Sequence, residues 1–266
     1  MLGAFVREIQ HALLRNEVDV ALHCLKDLPT TPVPGLALSA YLPRDFPNDA
    51  LISRGPTLEE LPEGAVVGTG SVRRTSQLAA ARPDLQFKPL MGNVDTRMRK
   101  LIAGEYDAII LAITGLRRLG LLDAYEDRWT TDEYPTLVVH RLSADVNGML
   151  PAPGQAVLVL ETRADDPAAE AVSTLHHAPT QRCADAERAF LATFGGGCSV
   201  PVAALATEVD GVLELSGLVA SPDGKTVLHA RKRGVTGGEL AQELGEQGAF
   251  EIVRSVARVN PGGAEH

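Results

Sequence analysis

Ala65-Val66-Val67-Gly68-Thr69-Gly70-Ser71-Val72-Arg73-Arg74 passes from a short apolar run, through two glycines around a threonine, into a helical segment that Pro83 stops. A buried strand that enters a helix through a glycine turn is the repeating unit of an α/β sheet. The next segments repeat the pattern. Leu85–Leu90 reads as a strand, Asp95–Ala103 as a helix closed by Gly104, Tyr106–Ala112 as a buried strand and Leu116–Leu122 as its helix. This rhythm predicts a largely parallel sheet covered by helices.

On the N-terminal side, Phe5, Ile9, Ala12 and Leu13 fall at helical spacing. Val18–Leu25 and Leu36–Leu42 read as strands, the first of them buried, and Pro43-Arg44-Asp45-Phe46-Pro47 as a hinge. On the C-terminal side, residues 123–148 lose the rhythm and read as irregular. Ala156–Glu161 reads as a strand, and Gln181–Phe194 as a helix ended by Gly195-Gly196-Gly197. Val200–Val209, Leu213–Val219 and Thr226–Arg231 are joined by Asp210-Gly211 and Asp223-Gly224, the signature of an antiparallel meander. A last helix runs from Glu239 to Val256.

The composition excludes several classes. With 45% hydrophobic and 22% charged residues over 266 positions, the chain is that of a soluble globular protein of roughly two domains. No apolar run approaches the ~18 residues of a membrane span. The opening Met1–Glu8 lacks the pattern of a signal peptide. A net charge of −9 argues against attraction to nucleic acid or to an anionic bilayer. Cys24, Cys183 and Cys198 are too few and too scattered for a disulfide framework or a metal site, so no metal is expected and reduced thiols in a cytoplasm are the default.

Open α/β sheets bind ligands outside the carboxyl ends of their strands. Lys26 and Asp27 follow the first strand there. Three later strand ends each open into a helix bearing cations: Arg73 and Arg74, then Arg97, Arg99 and Lys100, then Arg117 and Arg118. Any single pair is readily a solvated helix face. Three at equivalent positions argue for a ligand with several negative charges, because helix N-termini and guanidinium forks both favour anions. A dinucleotide site is a poor match, since Arg73 stands where its fingerprint needs a third glycine. Asp27 is either an acid/base group or a partner in a local turn bond. Cys198, behind three glycines, is either a reachable thiol or an inert apolar residue. Cys24 suits the inert reading, His23 a core-facing strand position, and His176-His177 a helix surface.

Six stretches together are specific. They are Val18–Pro29, Gly68–Arg74, Gly92–Arg97, Tyr106–Ala112, Leu150-Pro151-Ala152-Pro153-Gly154-Gln155, and Glu187-Arg188-Ala189-Phe190 leading to Gly196-Gly197-Cys198-Ser199-Val200-Pro201. In this order the chain resembles the porphobilinogen deaminase (hydroxymethylbilane synthase) family. The resemblance implies two α/β domains like those of type II periplasmic binding proteins plus a small C-terminal α+β domain. Domain 1, incomplete, would take residues 1–46 and 156–178, domain 2 residues 47–155, and the third domain residues 179–266. It implies a monomeric cytoplasmic transferase that joins four porphobilinogen molecules head to tail with loss of ammonia. A dipyrromethane cofactor, held by a thioether to Cys198, would prime the chain. Asp27 would be the catalytic aspartate. Lys26, Ser71, Arg73, Arg74 and Arg97 would hold the cofactor, and Arg97 and Arg118 the substrate carboxylates. Nucleic acid and membrane are not implied as partners.

The departures from that pattern are local, except at the start. Met91 stands where the family has an arginine, Gly70 and Cys24 where serines are usual, and residues 123–148 exceed the usual connection. Phe5-Val6-Arg7-Glu8 matches a family position some way into the chain, so the opening strand with its arginine and serine has no counterpart. This predicts an incomplete first domain and deficient catalysis. The alternatives are an inactive homologue and a small-anion-binding module on the same fold.

Overall fold

The computed structural model describes residues 2–122, 128–143, 148–197 and 200–259. The chain divides into two compact units, one of Met1–Asp45, Ala152–Val219 and Leu228–His266, the other of Phe46–Pro151 and Ala220–Val227.

The first unit begins with α1 (Leu2–Leu14), whose buried Val6, Gln10 and Leu13 recur at helical spacing. Asn16 adopts φ 60°, a left-handed residue two positions past the helix end. β1 (Ala21–Cys24) and β2 (Leu36–Tyr41) flank β9 (Leu158–Arg163), both antiparallel to it. The expected buried strand over Val18–Leu25 is therefore corrected. Only Ala21–Cys24 pairs, and as an edge strand it alternates, with Ala21 and His23 inside and Leu22 57% exposed. Leu25 already belongs to a 3₁₀ turn, Leu25–Asp27. His23 does face the core, where its Nε2 lies 2.9 Å from Glu161 Oε2. Gln10 Nε2 donates to both oxygens of the same carboxylate.

Within this unit, α5 (Pro167–Ser173) leads to α6 (Ala178–Thr193). The meander follows as β10 (Val202–Val209), β11 (Val212–Ala220) and β12 (Val227–Arg233), in that sheet order. Asp210 and Gly211 at φ 53° and 73° make the tight turn that their sequence signals. Phe190, Phe194, Val202, Leu215, Leu240 and Leu244 form the core there. α7 (Gly237–Leu244) starts on a Thr236/Glu239 capping box, and a Cβ at Gly237 would lie 1.9 Å from Ala186 O, so only glycine lets it begin against α6. The single last helix expected from Glu239 onward is broken by a π turn at Gly245–Ala249, where Gly248 has φ 111°, before α8 (Phe250–Val259).

The second unit is a six-stranded sheet in the order β5-β4-β6-β3-β8-β7. Its strands are β3 (Asp49–Ser53), β4 (Val66–Gly68), β5 (Gln86–Lys88), β6 (Ala108–Ala112), β7 (Arg128–Thr130) and β8 (Val138–Leu142). Helices α2 (Val72–Ala81), α3 (Val94–Ile102) and α4 (Ile113–Arg118) follow β4, β5 and β6. β4 is parallel to β5 and β6, as the sequence rhythm predicts. The sheet as a whole is mixed, which corrects the largely parallel reading. β3 runs antiparallel to both β6 and β8, and β7 antiparallel to β8. β8 lies within the segment read as irregular, of which residues 123–127 and 144–147 are outside the described residues. The α/β class stands.

Candidate active site

In the second unit the glycine turn after β4 is forced by packing. A Cβ at Gly68 would lie 2.8 Å from the Tyr106 ring. Ser71 is the N-cap of α2 but its hydroxyl does not cap the helix. The first turn then sends Arg73 and Arg74 inward, where they are only 4% and 8% exposed. Asp49, at the start of β3, meets both. Arg73 Nη2 donates to its Oδ2 and Arg74 Nη2 to its Oδ1, each at 2.7 Å. The other terminal nitrogens donate to backbone carbonyls, Arg73 Nη1 to Leu150 O at 2.7 Å and Arg74 Nη1 to Ile110 O at 3.0 Å. Burial pushes the Asp49 carboxyl up, but the two guanidinium charges and their hydrogen bonds outweigh it and hold the group well below the usual carboxylate range.

Two features leave this cluster short of negative charge. Arg74 Nε is buried with no hydrogen-bond partner. Half-buried Arg97 donates its Nε to Gly92 O at 2.7 Å, and burial together with the charge of Arg74 pushes its guanidinium below the ordinary value. Gly92 and Asn93 set up that helix start, since the Asn93 side chain accepts from Thr96 N and a Cβ at Gly92 would lie 2.8 Å from Thr96. An orphaned buried donor beside a third cation fits a carboxylate-bearing ligand.

The three cationic strand ends are not equivalent, however. Arg73 and Arg74 are buried and anchored, and Arg97 is half-buried beside Arg74. Arg99 is an exposed surface partner of Asp95 at 3.0 Å. Arg118 ends α4 on the surface. Met91, where the resemblance implies an arginine, is 59% exposed.

In the first unit the 3₁₀ turn after β1 carries half-buried Lys26 and Asp27. Lys26 Nζ donates to Gln155 Oε1 at 3.2 Å, Leu28 N–H to Leu25 O at 3.1 Å, and Arg188 Nη2 of α6 to Pro29 O at 2.7 Å. The turn is thereby held from three sides. The loop after α6 comes to the same place: a Cβ at Gly196, φ 67°, would lie 2.4 Å from Thr30 Oγ1. The glycines before Cys198 thus pass beside the segment that follows Asp27. Cys198 and Ser199 lie outside the described residues. No group of three His, Cys, Asp or Glu side chains suited to a metal occurs among the described residues.

Sequence reasoning did not assign roles to Asp49, Gln155 or Glu187. Gln155 and Glu187 lie in quoted stretches, but Asp49 opens an unrecognised strand, and nothing near it in sequence marks it as the partner of two arginines.

An α/β protein with an acid–lysine turn in one unit and a partly neutralised arginine cluster in the other is the class that fold and site define. Residues 1–171 match the family described as "Porphobilinogen deaminase, dipyromethane cofactor binding domain", and residues 181–257 match "Porphobilinogen deaminase, C-terminal domain". The protein named porphobilinogen deaminase in Desulforudis audaxviator is 46% identical over 98% of this chain and 81% of its own length. Its namesake in Thermus thermophilus is 45% identical over 95% and 82%. Among solved structures, the periplasmic VFT2 domain of BvgS from Bordetella pertussis is similar with a TM-score of 0.36 and 14% identity, over 64% of this chain and 66% of that one. The chain belongs to the porphobilinogen deaminase family.

Proposed function

We propose that this chain is a hydroxymethylbilane synthase, the transferase that joins four porphobilinogen molecules head to tail and releases ammonia at each joining. Its cofactor is dipyrromethane, which supplies when bound the pyrrole end onto which the first substrate is joined. The observation that carries the reading is the buried Arg73–Asp49–Arg74 cluster with Arg97 beside it. Each pyrrole of substrate and product bears an acetate and a propionate, so a growing chain is a polyanion that needs such donors.

The residues divide into two tasks. Arg73, Arg74, Arg97 and the Ser71 hydroxyl hold cofactor carboxylates, and Arg97 with Arg118 holds those of the substrate. Lys26 adds a further cation beside Asp27. The Asp27 carboxylate accepts hydrogen bonds from pyrrole N–H groups and stabilises the positive charge that develops as the aminomethyl C–N bond breaks. The departing nitrogen takes up a proton and leaves as ammonia, a carbon–carbon bond to the free α-carbon of the next pyrrole replaces the broken C–N bond, and that α-carbon gives up its own proton. Cys198 is the anchor, because a thioether, unlike an ester, resists hydrolysis and lasts as a permanent link. The loop of Gly195–Gly197 beside Thr30 supports that placement.

The division at residues 46, 155 and 178 into three domains, a monomeric state and a cytoplasmic location belong to the same proposal. Cys24 and Cys183 are unbridged, as reduced thiols would be. Among the described residues no helix is long and apolar enough to cross a membrane.

The arginine roles are tested by Arg73→Leu, Arg74→Leu and Arg97→Leu, with exposed Arg128→Leu as control. Each of the first three is expected to impair cofactor loading or chain elongation by an amount equivalent to about 2–5 kcal/mol, the cost of leaving a buried charge unpaired. Intact mass and product assay read the effect. Equal losses in Arg128→Leu would reduce the cluster to general electrostatics.

A further inference from the structure

Asp49 shares one carboxylate between two guanidiniums, one oxygen to each, at the start of β3. It is 2% exposed, and Arg73 and Arg74 cannot be held in this geometry by their carbonyl partners alone, since Leu150 O and Ile110 O each take only one nitrogen. Resting on the functional reading above, we propose that Asp49 is a positioning residue for the dicarboxylate site. It fixes the two guanidiniums in one orientation, and it removes one positive charge from the three of Arg73, Arg74 and Arg97. What remains matches the two negative charges of a single pyrrole bearing acetate and propionate. The three arginines therefore act as one dicarboxylate site, not as three separate carboxylate contacts.

The geometry distinguishes this role from mere packing. An asparagine at 49 keeps the shape but offers one acceptor oxygen and one NH₂ group, so one of the two guanidiniums must face a donor. That arginine swings or loses its anchor, and the cofactor is held less well while the chemistry on Asp27 is untouched. Loss of binding without loss of the chemical step appears as fewer loaded molecules at little-changed turnover per loaded molecule.

The test uses the full chain and reads, by intact mass, the fraction of molecules that carry cofactor. Asp49→Asn is expected to lower that fraction about tenfold relative to wild type, with turnover per loaded molecule within roughly threefold. In an Arg73→Leu background the same substitution should add little, because Asp49 acts through the arginines. Loading within twofold of wild type, or losses that simply add in the double variant, would overturn the proposal. If Asp49→Asn does not fold, Asp49→Glu, which keeps two acceptor oxygens for the two guanidiniums, is expected to fold and to load within about threefold of wild type. A loss of about tenfold or more in Asp49→Glu would equally overturn the role. Cofactor on the wild-type chain, read by intact mass, reports separately on the functional reading.

Discussion

Asp27→Asn is expected to lower turnover per cofactor-loaded molecule by about 10²-fold or more, the scale of acid/base and electrostatic contributions to a transition state. The substitution keeps the shape of the side chain, removes its negative charge and turns one acceptor oxygen into an NH₂ donor. Local structure should survive it, because the turn is held by Lys26 to Gln155, by Leu28 N–H to Leu25 O and by Arg188 to Pro29 O, none of which uses the Asp27 carboxylate. The fraction of chains carrying cofactor, read by intact mass, serves to normalise the rate. Unchanged turnover per loaded molecule would make Asp27 a structural residue of the turn.

Glu187→Ala should cost the largest amount of stability, about 3–5 kcal/mol, because it leaves a buried guanidinium without its partner. Glu187 is fully buried on α6 and accepts from four donors. Arg44 Nη1 and Nη2 reach its two oxygens at 2.6 Å, and the backbone N–H groups of Gly154 and Ala206 reach them at 2.7 Å. One carboxylate thus ties the segment after β2, the approach to β9 and strand β10 to a single helix. Denaturant unfolding of the variant beside wild type measures the difference. A loss below about 1 kcal/mol, the range of exposed ion pairs, would show that these contacts are not what holds the unit together.

Much of this architecture was legible in the sequence for physical reasons. Strand–helix units from Ala65 to Leu116 announce themselves because β4 and β6 are short, largely buried apolar runs, and the turn after β4 needs a residue without a Cβ, as Gly68 against Tyr106 confirms. The meander was equally plain, since Asp210-Gly211 marks its turn. β3 was missed because Asp49–Ser53 is buried along its whole length and shows no alternation, so periodicity carries no signal. β8, buried at four of five positions, hid within a stretch of mixed composition. Strand direction is not written in local sequence at all, and the sheet proved mixed for that reason. In the site, cations at strand ends were visible as a pattern, but whether a guanidinium turns inward depends on a distant acceptor. Asp49, 24 residues before Arg73, supplies it. Arg99 has the same residue type at a comparable position and stays on the surface beside Asp95.

The most direct measurement is the intact mass of the purified wild-type chain, read beside Cys198→Ala and Cys183→Ala. Cys183 is buried on α6, with burial pushing its thiol pKa up, so it is a poor nucleophile and a fair control. The account predicts a wild-type mass raised by one dipyrromethane unit, the same increment in Cys183→Ala, and none in Cys198→Ala. A wild-type chain at its unmodified mass, or an increment that survives loss of the Cys198 thiol, would contradict it.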